Sequence, residues 1–113
     1  MDVSRAVFMA SEADFDAWLA RHGREEREVL VAINKQASGK QTVTLPALQE
    51  VALCHGWVDT QIQRIDDERY AIRFVPRRPG SNWSSTNRDL ARRLLEAGRL
   101  TPAGLATLPD DLH

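Results

Sequence analysis

The sequence predicts an α+β fold, a small antiparallel sheet of about three strands with helices packed on one face. Three observations carry this. Residues 29–35 (V-L-V-A-I-N-K) form a short β-branched run that is apolar on both faces, as a central strand requires. Residues 58–63 and 70–75 each alternate side chains about the acidic turn Asp66-Asp67-Glu68, the pattern of a hairpin. The flanking segments carry apolar residues at helical spacing between capping residues.

Size and composition agree with a single soluble domain. The chain has 113 residues, 42% hydrophobic and 27% charged, enough to bury a core without staples. One cysteine, Cys54, excludes an internal disulfide. The first residues lack the apolar run of a signal peptide, and no later stretch is long enough to span a bilayer. A cytoplasmic protein without membrane insertion is therefore expected.

Taken in order, Ser11 caps a short helix whose stripe is Phe15, Trp18 and Leu19, and Gly23 closes it in the left-handed conformation. The charged run R-E-E-R-E, residues 24–28, reads as a solvated connection to the strand at 29–35. In the polar loop 36–43, Gly39-Lys40 shares too little with a phosphate-binding loop to signal a nucleotide. Thr44 caps a second helix with Pro46 in its first turn, and Gly56 ends it. In the hairpin, Val58, Thr60 and Ile62 share a buried face with Tyr70, Ile72 and Phe74. The opposite face then presents Asp59, Gln61, Gln63 and Arg73 together. Pro76 and Pro79 bracket Arg77-Arg78 and stop the strand. Ser84 or Ser85 caps a helix reaching about Ala97, and Thr101-Pro102 opens one more.

Charge is unevenly spread. Residues 69–99 hold eight arginines against Asp89 and Glu96, a net +6, which leaves −7 for the remainder of a chain whose total is −1. Such polarity steers anions toward one side. The competing reading is that internal carboxylates neutralise these arginines.

The candidate site is the place where the hairpin hands over to the following helix. Arg73, Arg77 and Arg78 would supply bidentate donors for a phosphate or carboxylate. Ser81, Ser84 and Asn87 crowd the turn and the helix N-terminus, where unpaired N–H groups favour an anion. Trp57 or Trp83 would give a flat apolar wall, and Asp59 would face Arg73 across the strands. The bland alternative has Asp59 simply paired with Arg73, the serines only capping, and both tryptophans in the core.

Other chemistry has weaker support. Cys54 and His55 are neighbours on a helix and point about 100° apart, so they form no dyad. His22, His55 and His113 lack metal-ligand spacing, and neither a metal nor a cofactor is expected. Lysine is scarce and no nucleic-acid motif accompanies the arginines, which argues against a nucleic-acid partner.

Four blocks resemble one family in order and spacing: residues 52–59 (A-L-C-H-G-W-V-D), 67–78 (D-E-R-Y-A-I-R-F-V-P-R-R), 81–87 (S-N-W-S-S-T-N) and 94–105 (L-L-E-A-G-R-L-T-P-A-G-L). They are similar to the bacterial YdeI/OmpD-associated proteins, also called bacteriocin-protection proteins. The chain departs from that pattern at His55, Thr60 and Val75, where phenylalanine, glycine and threonine are usual. Those proteins commonly continue past the Pro109 region into a basic helical segment, so a natural short form or a truncated chain is expected here. The resemblance implies a cytoplasmic α+β protein tied to envelope stress or to resistance against cationic peptides, with no catalytic residues attached. The leading expectation is a non-enzymatic binding protein for a small anion or a protein partner. The alternative is a small enzyme acting on a phosphorylated or carboxylated metabolite, with Asp59 as acid/base. A homodimer is a third reading.

Overall fold

The computed structural model describes residues 1–78 and 80–112. Pro79, read above as part of the strand stop, and His113, weighed as a metal ligand, lie outside the described residues. The elements run β1 (Val7–Phe8), α1 (Glu12–His22), β2 (Val29–Asn34), α2 (Leu45–Cys54), β3 (Trp57–Arg64), β4 (Arg69–Pro76), α3 (Ser85–Glu96) and α4 (Pro102–Thr107).

The fold is α+β, and its sheet has four strands in the order β1-β2-β4-β3. The expected three-stranded antiparallel sheet is corrected on two points. A fourth strand, β1, is present, and it pairs with β2 in parallel, so the sheet is mixed. At two residues β1 is too short for any alternation to be read from the sequence, and it is specified by its neighbour instead. The Met9 N–H donating to the Ala32 carbonyl continues the same pairing.

Every α-helix starts where a side chain replaces missing backbone partners. Ser11, Thr44, Ser84 and Thr101 each accept a hydrogen bond from the N–H three residues on. Gly56 and Gly98 take positive φ, as helix-ending glycines do. Gly23 does not: its φ of −63° is right-handed helical, and its N–H donates to the Leu19 carbonyl.

α1 and α2 lie on one face of the sheet and bury Val29, Val31 and Ile33 of β2 with Ile72 and Phe74 of β4. Phe15 and Phe74 are fully enclosed there, their ring centroids 4.7 Å apart. A second cluster, built on Leu53, Cys54, Ala91, Leu94 and Leu108, packs α3 and α4 against the end of α2 rather than against the strands. That end is closely fitted. The Cys54 carbonyl accepts from both the N–H and the hydroxyl of Thr101, and a Cβ on Gly104 would come within 2.2 Å of the same oxygen.

The hairpin contains an irregularity that decides the site. Between Asp59 and Gln61 the β3–β4 register shifts, leaving Thr60 as the extra residue of a bulge. Beyond it the inward and outward sense of β3 is reversed. Asp59 and Ile62 therefore oppose Phe74 and Ile72, whereas Val58 and Gln61 oppose Val75 and Arg73. The expected grouping of Asp59 with Gln61, Gln63 and Arg73 is corrected accordingly. Ile62 lies at the sheet edge and is exposed, not buried.

Candidate functional site

Because β2 and β4 are antiparallel, with Val29 opposite Phe74, the residues before β2 meet the residues after β4 at one end of the sheet. β3 begins at that same end, with Trp57 opposite Pro76. A cleft of about 630 Å³ opens there, and none of its described lining residues belongs to a helix. Its apolar part is Val58, Val75 and Pro76. Arg27, Arg73, Arg77 and Arg78 supply four guanidinium groups, and Thr60 and Ser81 add hydroxyls.

The arginines are not equivalent. Arg73 is held by Glu28, its Nε donating to Oε2 at 2.6 Å, and its Nη1 donates to Thr60 Oγ1 at 3.1 Å. Arg77 is buried, its guanidinium 4.0 Å from the Trp83 ring centroid and its Nη1 3.5 Å from Ser81 Oγ. Burial lowers the Arg77 pKa from the ordinary arginine value, and the Asp59 carboxylate opposes that shift. A guanidinium stays charged even so. Arg27 and Arg78 are exposed.

The competing reading, neutralisation by carboxylates, is met by five of the eight arginines in residues 69–99, and Arg93 is unpaired along with Arg77 and Arg78 among the described residues. Arg69 pairs with Asp66, Arg73 with Glu28, Arg88 with Asp111, Arg92 with Asp89 and Arg99 with Glu50. Among the described residues, no carboxylate lies within ion-pair distance of Arg27, Arg77 or Arg78. These three share the cleft. That coincidence is what distinguishes the place.

Of the nine residues singled out in the sequence, Arg73, Arg77, Arg78 and Ser81 line the cleft. Trp83 supports it from behind, stacked under Arg77 and packed against the second core cluster. The others stand elsewhere. Trp57 is 3% exposed, meets Trp18 edge-on at 5.8 Å in the core and does not line this cleft. Asp59 faces α2, where Gln49 Nε2 donates to it at 3.3 Å, and it makes no ion pair with Arg73. Ser84 is the N-cap of α3, accepting from the Asn87 N–H. The capping reading holds for Ser84, and Asn87 takes part only through its backbone N–H.

Arg27 and Glu28 are the residues that sequence reasoning missed, having been read as a solvated connection. The pairing of β2 with β4 was the signal that would have found them, since it places whatever precedes one strand beside whatever follows the other.

Burial pushes the Cys54 thiol pKa up, with Arg99 opposing the shift, which disfavours the thiolate. His55 Nε2 lies 2.7 Å from Asp16 Oδ1 and ties the end of α2 to α1. No group of three or more His, Cys, Asp or Glu among the described residues is placed to hold a metal. Among the same residues, no helix is long and apolar enough to cross a membrane.

Residues 7–107 match a family described as a domain of unknown function, DUF8412. The chain belongs to the DUF8412 family. The matched span of this DUF8412 domain runs from β1 to the end of α4 and takes in every residue lining the cleft. No curated protein and no solved structure matches the chain.

Proposed function

We propose that the chain is a non-enzymatic binding protein whose cleft takes an anionic small molecule or an acidic group of a protein partner. The observation that supports this reading is the convergence of Arg27, Arg77 and Arg78 on one concavity with no carboxylate among the described residues within ion-pair distance of them. Like charges brought together in a partly dry site repel one another, and a bound anion relieves that repulsion while gaining charge-assisted hydrogen bonds. The Glu28 carboxylate paired with Arg73 at the cleft's edge supports this reading as an internal counterpart of such an anion.

The enzyme reading gave Asp59 the acid/base role. Asp59 faces α2 and does not line the cleft, so its position supports the binding reading over that one. The likeness to YdeI/OmpD-associated proteins adds a proposed cytoplasmic role in envelope stress. Such a role would run through an anion, because four guanidinium groups repel a cationic peptide.

The test is titration of the protein with acetate and inorganic phosphate, followed by amide chemical shifts. Arg27→Ala with Arg78→Ala should weaken binding at least about tenfold, the loss of two charge-assisted contacts. Both side chains are exposed, so the thermal midpoint should hardly move. Shift changes in the double variant with the same size and midpoint as in the unaltered chain would reject the cleft as the site.

A further inference from the structure

We infer that the cleft selects amphiphilic anions, a carboxylate or phosphate head carrying an apolar body, over bare inorganic anions. This rests on the anion-binding reading above and goes beyond it by naming the ligand class. Two features of the cleft point the same way. Its volume, about 630 Å³, equals the bulk share of roughly twenty water molecules and falls within the range of sites for small organic ligands. A bare phosphate would leave most of that space wet. Its lining is also divided by chemistry, with guanidinium groups set beside the aliphatic side chains of Val58, Val75 and Pro76, all of them half-buried.

The division follows from the fold. Val58 and Val75 are cross-strand partners on the face that α1 and α2 leave uncovered, and the bulge at Thr60 keeps Val58 on that face together with Gln61. Two branched side chains directly opposite one another make a continuous apolar surface. Here no helix among the cleft's lining residues covers it. The Arg77 guanidinium, fixed between the Trp83 ring and Ser81, is held beside this surface. A fixed planar donor binds a planar carboxylate or a phosphate edge with little loss of side-chain freedom. The head would lie against Arg77 and Arg78, with Arg27 supplying a further charge, and the body would cover the two valines and the proline.

Calorimetric titration with acetate, butyrate, hexanoate and octanoate, each below its micelle concentration, tests this directly. Each buried methylene should tighten binding by up to about fourfold, so octanoate should bind at least about tenfold better than acetate. Its heat-capacity change should be negative, the mark of apolar burial. Val75→Thr keeps a β-branched residue on the strand and should flatten the chain-length series while leaving acetate binding in place. Arg27→Ala with Arg78→Ala should weaken every member of the series together. Octanol, neutral and equally apolar, should bind far more weakly than octanoate. Acetate and phosphate binding as tightly as octanoate would overturn the amphiphile inference and leave the anion reading standing. No binding by any of these anions, together with no retention on phosphatidylglycerol vesicles, would overturn both, and equal binding of octanol would show adsorption on apolar surface instead. A further arm uses vesicles of phosphatidylglycerol. Retention on vesicles without binding of free octanoate would place the head group on a membrane surface and overturn the soluble ligand.

Discussion

Glu28 holds Arg73 where a ligand would otherwise compete for it, so the two side chains set how much positive charge the cleft offers. Glu28→Gln removes the internal carboxylate and should tighten anion binding severalfold, read as a lower dissociation constant for acetate in the same titration. Weaker binding would show that Glu28 is needed to orient Arg73. Arg77 behaves differently from its exposed neighbours. Buried and stacked on Trp83, it contributes packing as well as charge. Arg77→Ala should cost about 1–2 kcal/mol in urea unfolding and also weaken binding, whereas Arg78→Ala should change binding alone. At the hairpin tip, Asp66 accepts from the N–H groups of Glu68 and Arg69 at 2.9 Å each. The Glu68 N–H is the main reason its carboxyl pKa lies below the usual value, aided by Arg69. A depressed folded pKa means stability that is present above the unfolded pKa and lost as pH falls through the folded one. Asp66→Asn should therefore flatten the acid limb of the stability curve below about pH 4, measured by urea midpoints across that range.

At the scale of elements, the contact between α2 and α4 is the least forgiving. A Cβ at position 104 would lie 2.2 Å from the Cys54 oxygen and 3.0 Å from the Leu53 oxygen, both backbone atoms that cannot rotate away. Gly104→Ala should therefore cost at least about 2 kcal/mol, lowering the thermal midpoint by roughly 10 °C, with the loss seen first in α4. An unchanged midpoint would mean that α4 moves outward without penalty. The N-caps at Ser11, Thr44 and Thr101, and the third cap as either Ser84 or Ser85, were legible in the sequence because a cap is a local matter of one side chain and an N–H three residues on. The closeness at Gly104 was not, since it depends on a partner about fifty positions earlier in the chain. Gly23 shows the same limit from the other side. A glycine after a helix suggests a left-handed turn, yet this one stays right-handed and continues the backbone bonding of α1.

For the whole molecule, most of the charge asymmetry is spent internally, in ion pairs that join distant segments such as Arg88 with Asp111 and Arg99 with Glu50. Three of the arginines that make no ion pair among the described residues, Arg27, Arg77 and Arg78, line the cleft. Binding there should weaken as salt is raised from about 50 to 500 mM, because the Debye length shrinks over that range from above about 10 Å to a few ångströms. Arg27 and Arg78, being exposed, should account for most of the salt dependence, which titrations of the double variant at two ionic strengths would reveal.

The sequence by itself determined the α+β class, the hairpin, the four helix starts and the presence of arginines near the end of β4. All of these are written in spacing and in local capping chemistry. Only the tertiary structure decided that a two-residue strand joins the sheet in parallel, that a bulge at Thr60 turns Asp59 toward α2, and that Arg27 arrives beside Arg77. The reason is physical. A side chain's direction on a strand depends on a register that one extra residue reverses, and the neighbours across a sheet are set by pairing between segments far apart along the chain.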